Sequence, residues 1–148
     1  MQGAPLAQRI SALLDEQVQC VLATVNAGHP ELHLMAFAVT PKLDCVFLAS
    51  AAQTRKVRNM QAHPEVALLW DNRTRRTQDH IHGVALGATG RARRLAGDEA
   101  AAASGILLHR NDTLAPLLDI PEVAVMAIAI SQFRWVQGYG AVEEYAPG

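Results

Sequence analysis

Thr54-Arg55-Lys56, with Arg58 two places further on, is the stretch of this chain best equipped for chemistry. It follows Ser50 and the apolar run Cys45-Val46-Phe47-Leu48-Ala49, which reads as a buried strand. It opens a short helical spacing, Val57, Met60 and Gln61, that His63-Pro64 ends. Thr54 suits the N-cap of that helix. Three cations then crowd a helix end whose dipole is already positive. An anion would relieve the crowding, because backbone N–H groups, a hydroxyl and two or three cations could converge on one phosphate. The competing reading is a solvated basic helix start, in which long side chains swing into water at little cost. On the phosphate reading Arg55, a planar fork, is expected to contribute more than Lys56, a point charge.

Other residues offer less. His80 and His82 would share one face of a strand and could hold a metal or haem iron, but no third ligand type lies nearby in sequence, so no metal is expected. Arg73-Thr74-Arg75-Arg76 lacks flanking aromatic residues for base stacking and reads as a solvated loop. Trp70 and Trp135 read as core. Ser11, Ser50, Ser104 and Ser131 show no nucleophile-elbow context, and no Ser-His-Asp or Cys-His pattern stands out. Hydrolysis is therefore unsupported, and no catalytic acid or base can be named. A bound redox cofactor would need few reactive side chains, because it carries the electrons itself.

These residues require a strand-rich frame. Residues 5–18 read as a helix with Leu6, Ile10, Leu13, Leu14 and Val18 on one face. Residues 19–25, 31–39 and 45–49 read as an antiparallel meander, since the turns at 26–30 and 40–44 are too short for crossovers. Residues 65–71 and 80–95 read as further strands, the latter bent at Gly87 or Gly90. Residues 97–108 and 112–118 read as helices, 122–130 and 132–137 as two strands parted by Ser131, and 138–148 as a tail with little pattern. Six or seven strands with three helices at the edges imply a mainly β (α+β) fold, a small antiparallel barrel with peripheral helices.

At 148 residues, 50% hydrophobic and 18% charged, the chain fits one globular domain spanning 1–148. Its net charge of −1 argues against a nucleic-acid binder, although six basic residues and only Glu65 and Asp71 as acids lie between Arg55 and Arg76. No apolar run approaches the ~20 residues of a membrane span. Cys20 and Cys45 each sit in an apolar run and read as small core residues in a reducing compartment. A cytoplasmic location follows as an expectation.

The ordered set Leu22-Ala23-Thr24-Val25, Gly28-His29-Pro30, Met35-Ala36-Phe37-Ala38-Val39, Val46-Phe47-Leu48, Thr54-Arg55-Lys56, Asn59, Pro64, Val66-Ala67-Leu68 and Gly90-Arg91-Ala92 resembles the flavin-binding split-barrel family, whose best-known class is pyridoxamine 5′-phosphate oxidase. The resemblance covers roughly residues 10–137. It implies a six-stranded antiparallel split β-barrel. It implies a homodimer with flavin mononucleotide (FMN) sites at the interface, and a small-molecule redox substrate. Carried over by position, Thr54, Arg55 and Lys56 would hold the FMN phosphate with Ser50 close by. His33, Leu34, Met35, Ala36 and Phe37 would run along the ring system, with Leu48 and Ala49 beneath it. The pyridoxamine phosphate oxidases carry an Arg-x-x-x-x-Lys pattern on the second strand and an arginine near the C-terminus. Here His33-Leu34-Met35-Ala36-Phe37-Ala38 has neither cation and the end is acidic, so a clamp for a substrate phosphate is missing. The resemblance thus implies an FMN-dependent oxidoreductase other than a true pyridoxamine 5′-phosphate oxidase. A deazaflavin (F420) reductase and a haem-binding or haem-handling protein are the alternatives.

Overall fold

The computed structural model describes residues 3–148. Its elements are α1 (Leu6–Glu16), β1 (Gln19–Asn26), β2 (His29–Ala36), β3 (Ala38–Val39), β4 (Cys45–Ala51), α2 (Arg55–Ala62), β5 (Glu65–Asp71), α3 (Asp79–His82), β6 (Val84–Arg94), α4 (Gly97–Arg110), a 3₁₀ turn at Asp112–Leu114, α5 (Ala115–Leu118), β7 (Val123–Gln137) and β8 (Ala141–Tyr145). All strand pairings are antiparallel. The strands form one eight-stranded sheet in the order β2-β1-β5-β6-β7-β4-β3, with β8 also on β7.

That order explains why the sheet curls. β2 lies at one end of the order and β3 at the other, yet only Phe37 separates them in the chain. One residue spans less than 4 Å, so the two ends of the sheet must come together. Inside the curl lies a continuous apolar core that includes Leu22, Leu48, Leu68, Trp70, Leu86, Met126, Ile128 and Phe133, capped by Ile10, Leu13 and Leu14 of α1. A second cluster, Ala38, Ala49, Val125 and Ala127 against Ala103 and Leu107 of α4, covers the outer face of β4 and β7. Burial on both faces accounts for the unbroken apolar run Val123–Ile130.

The mainly β barrel anticipated from sequence is present, with four differences. Among the described residues there are eight strands rather than six. The second strand begins at His29, because the hairpin turns in only two residues: Asn26 pairs with His29, and Ala27 and Gly28 both have positive φ (50° and 81°), the type I′ conformation. Ser131 does not divide two strands. It is the extra residue of a bulge in a continuous β7, where the pairing skips from Thr89↔Gln132 to Gly90↔Ile130. Gly90 is required there, since a Cβ would lie 2.5 Å from the carbonyl oxygen of Ala129. The fourth difference is the tail: residues 141–145 form β8 on the half of β7 that β4 leaves free. Almost every side chain of β8 is exposed, so it carries no alternating pattern to read.

Candidate functional site

β2, β4 and α2 converge where the sheet closes. Leu34, Met35 and Ala36 of β2, Ala49 and Ser50 of β4, and Lys56 of α2 line one pocket of about 250 Å³. Leu114 of the 3₁₀ turn and Leu117 of α5 form its remaining wall. Six residues expected from sequence thus meet in space. Leu114 and Leu117 did not figure in that expectation. Their apolar character was visible, but only the fold of the segment after α4 brings them to this wall.

α2 presents an open N-terminus here. Thr54 occupies the N-cap position with extended backbone, but its hydroxyl makes no cap bond to the helix. It lies 3.0 Å from the Ser50 hydroxyl and donates to the carbonyl of Ala51, also at 3.0 Å. The first-turn N–H groups of an uncapped helix lack intrahelical acceptors and suit an anion. The expectation that Thr54 would cap the helix is therefore corrected: its hydroxyl is taken by the strand end before it.

Arg55 and Lys56 diverge, as neighbours on a helix must, at about 100° per residue. Lys56 faces the pocket. Arg55 lies with Arg58, Asn59 and His63 along a separate depression and pairs with Glu31 at 3.1 Å. The other carboxylate oxygen of Glu31 accepts from Asn59 Nδ2 at 2.8 Å. Asn59 Nδ2 also donates to Thr24 Oγ1 at 2.9 Å, and Thr24 Oγ1 lies 2.8 Å from His33 Nε2. Thr24 and Asn59 are buried. The hydrogen bond from Asn59, aided by the Arg55 charge, holds the Glu31 carboxyl below its usual range against the opposing pull of desolvation. Burial, reinforced by the Lys56 charge, holds the His33 imidazole below its usual value, with Glu31 acting in the opposite direction.

The remaining expected residues lie deeper. Leu48 is fully buried in the barrel core and does not line the pocket. Phe37 is also buried, edge-on to Trp70 with ring centroids 5.4 Å apart and the Arg110 guanidinium 4.5 Å from its own centroid. Phe37 therefore supports the closure of the sheet rather than the pocket wall.

The histidine pair is not on a strand. His80 and His82 belong to the short α3, two residues and so about 200° apart, facing different ways. His80 Nδ1 lies 2.5 Å from the Tyr139 hydroxyl. His82 lines a larger cavity of about 730 Å³ at the α1 end of the barrel, with Arg9, Leu13, Asn72 and Trp135. The Arg9 charge there is taken up by Glu143 in two hydrogen bonds of 2.8 Å. None of the residues expected to bind cofactor lines that cavity. Among the described residues no group of three or more His, Cys, Asp or Glu could hold a metal. Cys20 and Cys45 are free thiols, and burial pushes Cys20 up to about 12, which leaves it inert as a nucleophile at neutral pH. No helix among the described residues is long and apolar enough to cross a membrane.

Residues 6–137 match the family model described as pyridoxamine 5′-phosphate oxidase. A comparison with curated proteins finds no match. Among solved structures, a haem-binding protein from Mycobacterium smegmatis superposes with a TM-score of 0.86 at 19% identity, covering 99% of this chain and 60% of that one. Campylobacter jejuni ChuZ gives 0.80 at 13% identity, covering 94% of this chain and 58% of that one. General stress protein 26 from Bacillus anthracis gives 0.72 at 17% identity, covering 95% of this chain and 98% of that one. The chain thus spans well under two thirds of the first two proteins and nearly all of the third.

Proposed function

This chain belongs to the pyridoxamine 5′-phosphate oxidase family, and on that premise we propose that it is an FMN-binding oxidoreductase working as a homodimer on a small, unphosphorylated substrate. The observation that carries this reading is the pocket where Leu34, Met35, Ala36, Ala49, Ser50 and Lys56 meet beside the uncapped start of α2. The donor set fits a phosphate ester: free helix N–H groups, the Ser50 hydroxyl and one ammonium. The apolar walls suit a flat ring system. A bound flavin would supply two-electron redox chemistry, and the chain's part is to hold and orient it. Lys56 is the one charged residue on this wall, so the pocket offers a substrate no second cation for a phosphate of its own.

Support for the dimer comes from size and surface. At about 250 Å³ the pocket falls below the roughly 300–1,000 Å³ of a complete ligand site. Next to it the outer face of β2, β1 and β5 exposes Leu32 (72%), Leu34 (63%) and Leu69 (40%). Val21 pairs with both Leu34 and Leu69, so these side chains form one apolar surface across three strands. A second copy seated there would complete the pocket and cover that face.

Titration of the purified protein with FMN tests the reading. Saturable binding with the absorbance bands of oxidised flavin supports it, and failure to bind rejects it. Saturation by F420 instead would assign the same phosphate-holding pocket to a deazaflavin. Haem is the second reading, favoured by His82 on the wall of the 730 Å³ cavity. It expects a Soret band on haemin addition that disappears in His82→Ala.

A further inference from the structure

On the side of α2 away from Lys56, Arg55 does not stand alone. Arg55, Arg58, Asn59 and Ala62 recur at the spacing of one helix face, and with His63 they line a depression of about 330 Å³. Val25 and Asn26, at the end of β1, line it from the sheet. Neither Lys56 nor Ser50 takes part in it. Its volume falls within the range of a small-ligand site, and no acidic residue lines it.

Neither guanidinium swings freely. Arg58 Nη1 donates to the Gln53 carbonyl at 2.6 Å, which ties the side chain back to the start of α2. Arg55 Nη1 donates to Glu31 at 3.1 Å, and Glu31 is itself held by the buried Asn59. Each fork spends a single nitrogen in this way, so most of its N–H donors stay open. Glu31 offsets the charge of Arg55. Among the described residues no carboxylate pairs with Arg58. His63 is the C-cap of α2, where the free carbonyls of the last turn disfavour an anion. The charge available to a ligand therefore lies at the Arg55–Arg58 end.

We propose that this depression is a second anion site: a phosphate or carboxylate group binds between Arg55 and Arg58, apart from the phosphate assigned to the Lys56 pocket. Two tethered forks offer bidentate contacts at a low ordering cost. Val25 and Ala62 give an apolar seat to the organic part of the ligand. The eight residues of α2 make it about 12 Å long, so one ligand with two anionic groups can reach both sites. A separate anion is the other source of the same chemistry.

Inorganic phosphate, added to the full chain at millimolar concentration and followed by amide NMR shifts, tests the site without any flavin. Shifts at Val25, Asn26 and Arg58 are expected. They should vanish in the double variant Arg55→Gln with Arg58→Gln, persist in Lys56→Ala, and be absent with chloride at equal ionic strength. Both arginines are exposed, so the double variant keeps the fold. Shifts confined to the surroundings of Ser50 and Lys56, or shifts at Val25 and Asn26 that survive the double variant, overturn the inference and leave the FMN site standing. Shifts at the depression alone support the inference and count against a phosphate beside Lys56. FAD and FMN then separate the two sources. A second phosphate carried by a dinucleotide expects the double variant to lower FAD affinity about tenfold more than FMN affinity. Equal losses for the two flavins, with the phosphate shifts present in the wild type, assign the depression to a ligand separate from the cofactor.

Discussion

Lys56 and Arg55 are sequence neighbours, yet one faces the pocket and the other is held by Glu31. The order of importance expected from their chemistry alone is therefore reversed. Lys56→Ala is expected to weaken FMN binding by about one to two orders of magnitude, the loss of one charge-assisted bond. Arg55→Ala should cost only a few-fold, since its side chain is 64% exposed and already paired. Riboflavin affinity should be unchanged in both, and an equal loss for the two ligands would show that Lys56 supports the pocket generally rather than a phosphate. His33 adds a pH signature to stability. Its folded pKa lies below the unfolded value of about 6.5, so the unfolded chain binds more protons as pH falls through that value. Stability is expected to decline as pH drops from about 6.5 toward the folded pKa, and His33→Gln should flatten urea-unfolding midpoints across that window. The Glu31 carboxylate acts in a lower window. Its folded pKa is depressed, so its contribution is present above about pH 4.3 and is lost as pH falls through the folded value.

At the scale of elements, one side chain fastens two helices to the barrel. Arg110, at the end of α4, donates to the carbonyls of Leu14 at 2.6 Å and Gln17 at 2.7 Å, which terminate α1. It also lies over the Phe37 ring where β2 passes into β3. A cation at a helix C-terminus is favourable in itself, and here it also satisfies two carbonyl oxygens. Arg110→Ala is expected to destabilise the protein by about 3 kcal/mol, read from urea denaturation, and Arg110→Lys should recover part of that. A loss below about 0.5 kcal/mol would show that water replaces the arginine freely. The β7 bulge makes a second test. Gly90→Ala places a methyl against the backbone of Ala129 and should lower the urea midpoint, whereas Gly105→Ala on α4, where nothing lies within 4 Å, should not.

For the whole molecule, the exposed apolar face and the incomplete pocket make the same demand. Leu32 and Leu69 lie on the face but outside the pocket lining. Leu32→Glu with Leu69→Glu should leave the barrel folded, because both side chains already face solvent. Sedimentation is expected to show dimer for the wild type and monomer for the double variant. FMN affinity should fall at least tenfold with it, since half of the site would leave with the partner. A monomer that keeps wild-type FMN affinity would sink the shared-site arrangement, and a wild-type monomer would sink the dimer.

Much of this was determined by the order of residues. Alternating apolar positions specify which strand faces turn inward, Ala27-Gly28 and Pro64 end their elements, and the ordered motifs around Thr54-Arg55-Lys56 identify the family. These are local matters, decided by period, φ preference and spacing. The tertiary structure alone decided that Arg55 and Lys56 part company, because a carboxylate 24 residues away claims one of them. It alone made His80 and His82 a helical turn rather than a strand pair, through Asp79, whose carboxylate accepts from the backbone of Thr74 and Arg75. Pairing with β7 turned a patternless tail into β8, whose side chains face water and so leave no periodic trace in the sequence. Partners distant in the chain settle such features, and nothing within a short window of sequence carries their positions.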